Sequence, residues 1–120
     1  AIREINNKSD GVADHLLPKT HLEFAFRDSK CDSSRALSGA LSLVQEAFAG
    51  AGVSAIIGCT CSGASVTAAQ VASASSVPMI SPTSTSPALS DSQTYPYFLR
   101  TAPSDTFQVR AMVDVLRSMW

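Results

Sequence analysis

The residues best suited to chemistry gather in two short stretches rich in hydroxyls. Gly58-Cys59-Thr60-Cys61-Ser62-Gly63-Ala64-Ser65 has the glycine spacing of a phosphate-binding loop, but Ala64 stands where that motif needs lysine. Without the lysine no point charge meets the β- and γ-phosphates, and nucleotide hydrolysis is set aside. What remains is a loop feeding a helix N-terminus, whose N–H groups and positive dipole end favour an anion. Ser62 adds a hydroxyl donor, so the chemistry on offer is the holding of a carboxylate. A small-residue turn that only lets a helix pack closely on a sheet fits the pattern equally well. The second stretch, Ser81-Pro82-Thr83-Ser84-Thr85-Ser86, offers hydroxyls and carbonyls that could accept from an ammonium group. On pattern alone a plain solvated loop is the stronger reading there.

Other constellations are weaker. Cys31, Cys59, Cys61, His15 and His21 match no zinc spacing, so no metal and no cofactor is expected. Ser62-Gly63 lacks the Gly-x-Ser-x-Gly elbow and neither histidine is placed to serve as its base, so no catalytic residue is assigned. The chain reads as a non-enzyme. Arg100 receives no ligand role from its spacing. Three cysteines are an odd count. Cys31 and Cys61 each stand beside a loop-to-helix junction. A bond between them would imply an oxidising compartment, and spacing leaves open whether it forms.

These stretches need elements to position them. His21–Arg27 alternates in part and carries aromatics, which predicts a strand. Ser33 or Ser34 caps a helix whose apolar face is Leu37, Leu41, Val44 and Phe48, ended by Gly50 and Gly52. Val53–Ile57 suits a buried parallel strand. Ala64–Ser76 reads as a small-residue helix, Val77–Ser81 as a strand and Tyr97–Arg100 as a short strand. Ser104 or Asp105 caps a last helix with Phe107, Met112, Val115, Leu116 and Met119 on its apolar side. Alternation of strands and helices implies an α/β fold with a parallel sheet, right-handed crossovers and helices on both faces. In such sheets ligands sit beyond the carboxyl ends of the strands, where Gly58–Gly63 and Ser81–Ser86 fall.

Charged residues make up 16% of the 120, and the net charge is −1, which excludes the basic surplus a nucleic-acid partner would need. From Ala47 to Ser90 no residue is charged. That run is long enough to span a membrane, but its Ser, Thr, Gly and Pro content makes lipid costly. The chain opens as the last turns of a helix and closes directly after an amphipathic one, so it is read as a fragment.

Several ordered motifs carry a family resemblance. Arg27-Asp28-Ser29-Lys30-Cys31-Asp32 resembles the loop after the second strand of the class C G-protein-coupled receptor ligand-binding region, shared with bacterial branched-chain amino-acid-binding proteins. Ile57-Gly58 through Cys61-Ser62 resembles the family's ligand loop. Val77-Pro78-Met79-Ile80-Ser81 followed by Ser84-Thr85-Ser86-Pro87-Ala88-Leu89-Ser90-Asp91 is similar to a segment of metabotropic glutamate and GABA-B type receptors. Tyr97-Phe98-Leu99-Arg100-Thr101-Ala102-Pro103-Ser104-Asp105 continues it.

The resemblance implies a type I periplasmic-binding-protein-like bilobal clamp. Residues 1–120 would be part of lobe one, with the first strand, the hinge and the second lobe absent. It implies that Ser62 holds a ligand carboxylate and that Ser81, Ser84 and Thr85 lie in the segment contacting the amino or acid group. It also implies a Cys31–Cys61 disulfide. The whole protein is then expected to be a membrane-anchored, dimeric receptor on the extracellular face of the plasma membrane, sensing an amino-acid-like small molecule. A periplasmic or secreted solute-binding protein for amino-acid transport is the alternative. Gly63 replaces a frequent second serine, and Cys59 has no counterpart role.

Overall fold

The computed structural model describes residues 2–11, 14–46 and 51–120. Helix α1 is Ile2–Asn6, α2 is Ser33–Gln45, α3 is Ser62–Ala74 and α4 is Asp105–Ser118. Strands β1 (Ile56–Ile57), β2 (Met79–Ser81) and β3 (Phe98–Arg100) form a sheet in that spatial order, and a 3₁₀ turn spans Pro87–Ser90. Both pairings are parallel, with Ile56 opposite Met79 and Met79 opposite Phe98. Parallel neighbours require crossovers, and α3 supplies the one between β1 and β2.

Register sets which side chains go inward. Ile56, Met79 and Phe98 share a row that packs against Ala68, Ala69, Val71 and Ala72 of α3. Small residues let α2 and α3 approach closely: Ala36 and Ala40 meet an α3 whose Ala64, Ala69 and Ala72 are fully buried. Met79 is fully buried at the centre, worth about 1.5–3 kcal/mol relative to exposure. The neighbouring row, Ile57, Ile80 and Leu99, faces the other way and is 86%, 40% and 57% exposed. Of the helices expected on both faces, the described residues therefore place α3 on one, and leave this row uncovered. α4 buries none of its residues, and Phe107, Met112, Val115 and Leu116 are all exposed.

Local expectations fare unevenly. The segment predicted as a strand, His21–Arg27, forms no strand and pairs with none among the described residues, and Phe24 and Phe26 are exposed. A strand exists only through its ladder, and here side-chain contacts hold the segment instead. Asn6 Nδ2 donates to the Leu22 carbonyl at 2.8 Å, while Leu22 N–H donates to Asn6 Oδ1 at 2.7 Å. Arg27 Nε donates to Ser42 Oγ at 3.1 Å. The α2 cap is Asp32, one residue before the expected serines, accepting from Arg35 N–H at 2.8 Å. Its carboxylate also complements the positive end of the helix, which a serine cannot do. Phe48 and Gly50 lie outside the described residues. Gly52 has φ of +70°, and a Cβ there would lie 2.2 Å from the Val44 carbonyl oxygen, so only glycine fits the return from α2 towards β1.

Candidate functional site

Two loops leave the carboxyl ends of β1 and β2 side by side. The first runs from Gly58 into α3, and the second runs from Ser81 to the 3₁₀ turn at Pro87. Cys31 and Cys61 are disulfide-bonded with their Cα atoms 5.4 Å apart, which ties the entry to α2 to the residue capping α3. The implied pairing is therefore present. Ser33 Oγ adds a donor to the Gly63 carbonyl at 3.4 Å across the same junction.

Beneath the loops, three serine hydroxyls converge on one backbone oxygen. The Cys59 carbonyl accepts from Ser81 Oγ at 2.6 Å and from Ser65 Oγ at 2.9 Å, with Ser84 Oγ at 3.3 Å. Ser65 and Ser84 hydroxyls bond each other at 2.7 Å, and Ser84 N–H donates to Ser81 Oγ at 3.1 Å. All three side chains are fully buried. Buried hydroxyls cost free energy unless they are paired, and here each is satisfied internally. Ser81 and Ser84 thus lock the two loops together from below, and their hydroxyls do not face the crevice.

Above them the second loop is pinned from both sides. Ser62 Oγ, at the first position of α3, accepts from Thr85 N–H at 3.2 Å and from Ser86 N–H at 3.3 Å. From the opposite side Arg100 Nη1 donates to the Ser86 carbonyl at 2.8 Å and to the Ser84 carbonyl at 3.4 Å. Arg100 Nη2 also bonds Ser90 Oγ. The peptide joining Ser84 to Thr85 is held at its C=O by a cation and at its N–H by a hydroxyl. The Thr85 carbonyl accepts from Asp105 N–H at 2.9 Å, which fastens the start of α4 to the same residue. Among the described residues no carboxylate pairs with Arg100, so its charge is spent on neutral oxygens.

This arrangement has a chemical polarity. Two N–H groups occupy both lone pairs of Ser62 Oγ, and its hydroxyl hydrogen meets no acceptor among the described residues. The hydroxyl can therefore only donate to an outside group. The N–H groups of Ser62, Gly63 and Ala64 open α3 and have no intrahelical acceptor. Ser62 and Thr85 are half-buried at this rim. Hydroxyl, amides and dipole all favour an anion, and no charged side chain lies in either loop. Cys59 stays a thiol: burial pushes its pKa up, against a smaller lowering by a Ser29 hydrogen bond.

Ser62, Ser81, Ser84 and Thr85 are thus brought together, in two tiers. Sequence reading passed over Ser65 and Arg100. The signal for Arg100 was register, since it stands opposite Ser81 at the sheet's carboxyl edge. Ser65 sits one turn into an uncharged helix, and nothing in its spacing marks it. Among the described residues no His, Cys, Asp and Glu cluster could hold a metal, and no helix is long and apolar enough to cross a membrane.

Comparison with known proteins gives the family. Residues 1–119 match the receptor family ligand binding region. The chain is similar to metabotropic glutamate receptor 4 of Rattus norvegicus, 34% identical over 99% of the chain and 14% of that receptor. It is similar to metabotropic glutamate receptor 6 of Oryctolagus cuniculus, 33% identical over 87% of the chain and 15% of the relative. Glutamate receptor 3.7 of Arabidopsis thaliana is 33% identical over 97% of the chain and 11% of its own length. This chain therefore spans a small part of each relative, and it belongs to the receptor family ligand binding region.

Proposed function

We propose that this chain is part of lobe one of an extracellular clamp on a membrane receptor, and that the clamp closes on an amino-acid-like ligand. The ligand's carboxylate lies against Ser62 and the first N–H groups of α3. Thr85 lines the facing side, while Ser81 and Ser84 hold that wall in place. The observation that carries the reading is the Ser62 hydroxyl, whose acceptor capacity is filled and whose hydrogen is left to donate. A charge-assisted hydrogen bond there is stronger than a neutral one. The uncovered row of Ile57, Ile80 and Leu99 and the exposed apolar side of α4 support a partial lobe completed by the rest of the protein. The Cys31–Cys61 bond supports an oxidising compartment. The matched relatives are named as metabotropic glutamate receptors, which favours a receptor over a transport protein; membrane anchoring and dimerisation of the full-length protein are part of the proposal.

The test is calorimetry on the full ectodomain with L-glutamate, other L-α-amino acids and the amines left when their α-carboxylate is removed. Binding of an acid with loss of its amine is expected. Equal affinity for acid and amine would sink the reading.

A further inference from the structure

Two asparagines close α1 and have different fates. The Asn6 carboxamide is committed to the backbone of Leu22 through both its oxygen and its nitrogen. Asn7 is exposed, in the turn that follows. Asn7-Lys8-Ser9 is also the chain's one run of Asn, a non-proline residue and Ser or Thr. In secreted proteins that run marks the asparagine as a sugar acceptor. We propose that Asn7 is an N-glycosylation site, taking an oligosaccharide from a lipid-pyrophosphate donor. The proposal rests on the extracellular reading given above.

Geometry supports the motif. Ser9 Oγ donates to Asn7 Oδ1 at 2.9 Å, and Ser9 N–H lies 3.4 Å from the same oxygen. The third residue of the motif therefore grips the carboxamide at its oxygen and leaves Nδ2 on the outer side. There, among the described residues, Nδ2 donates to the exposed Asp10 carboxylate at 2.8 Å, a contact that solvent can replace. Lys8 turns away, donating to the Ile5 carbonyl and to the Leu16 carbonyl, so the middle residue does not crowd the acceptor. In the transfer the sugar's C1–O bond to pyrophosphate breaks and a C1–Nδ2 bond forms. The lipid pyrophosphate leaves with the electron pair, and Nδ2 gives one proton to a base of the transferase. Because Asn6 holds α1 to Leu22, substitution of Asn7 leaves that anchorage in place.

The full-length protein, expressed in a eukaryotic secretory host, would be treated with a peptide N-glycosidase, which leaves aspartate at each occupied site. The Asn7 peptide is then read by mass spectrometry. Occupied Asn7 is expected, with complete loss in Asn7→Gln and Ser9→Ala and retention in Ser9→Thr. Unmodified Asn7 on protein that reaches the cell surface with Cys31–Cys61 bonded would overturn the proposal and leave the extracellular reading standing. Protein held in the cytosol with both cysteines reduced would overturn the two together.

Discussion

Replacing Arg100 with alanine removes one side of the brace on Thr85. The bond to the Ser86 carbonyl is short at 2.8 Å, the one to Ser84 is long at 3.4 Å, and the one to Ser90 is exposed. Only the first has full strength, and a hydrogen bond from a charged donor contributes about 1.5–3 kcal/mol. The variant should therefore lose about 2 kcal/mol of stability. The effect on binding is separate. With the carbonyls of Ser84 and Ser86 released, the ligand must order one or two residues again, at about 1–2 kcal/mol each. Affinity should then fall by about fivefold if one residue is reordered at the lower cost, and by up to about 700-fold if two are reordered at the higher. Arg100→Lys, which keeps a charge but loses the fork, should fall between the variant and the parent. The assay pairs thermal denaturation with calorimetry on the full ectodomain, using as probe whichever L-α-amino acid binds the parent. A lower melting temperature with unchanged affinity would show that Arg100 stabilises the fold without positioning the loop. No change in either would refute the reasoning altogether.

Ser62→Ala strips the anion's hydroxyl donor and leaves the Thr85 and Ser86 N–H groups unpaired, so calorimetry should show a loss of about 1–3 kcal/mol in ligand affinity. Cys31→Ser or Cys61→Ser opens a link across 30 residues, and denaturant unfolding should register a cost of about 3–4 kcal/mol. Gly52→Ala meets both a φ of +70° and the Val44 oxygen, whereas Gly11→Ala meets a φ of +77° and open space. Melting curves should show more than about 2 kcal/mol lost at Gly52, and about 1 kcal/mol at Gly11. The raised pKa of Cys59 means that the thiol's contribution to stability is intact below the usual thiol range and is lost as pH rises through its higher folded value. Cys59→Ser should flatten that alkaline decline, and alkylation of Cys59 in the folded protein should lag behind an unfolded control.

What the sequence disclosed depended on whether its signals were local. The apolar stretches Val53–Ile57 and Val77–Ser81, the alanine-rich α3 and the Ser104 cap all declare themselves within a few residues; the structure has the helix and the cap, and strands at the carboxyl ends of the two stretches, Ile56–Ile57 and Met79–Ser81. His21–Arg27 has strand composition, but a ladder needs a partner, and composition says nothing of the partner. The two hydroxyl-rich loops were visible as ligand candidates. Their division into buried and rim positions was not: alternation along β2 turns Ser81 inward with Met79, but Ser84 lies beyond the strand and is buried by the loop's return onto Ser81 and Ser65. Arg100 was visible as a residue but its role was not: its partners are backbone carbonyls 14 and 16 residues away in sequence, and carbonyls leave no trace in residue identity.

That three serines terminate on the Cys59 carbonyl divides the loop into positions that evolution can and cannot edit. Every amino acid supplies the same oxygen, so position 59 can change its side chain without the serines registering it. The cysteine side chain answers to other neighbours, half-buried against the core and hydrogen-bonded to Ser29, and not to the serines. Positions 65, 81 and 84 have no such latitude. Each must bring a small hydroxyl, and an alanine at one of them would strand its neighbours' polar atoms in the interior. In a deep mutational scan of the full-length protein, tolerance should therefore be greater at residue 59, within the limits its half-buried side chain sets, than at the three serines around it.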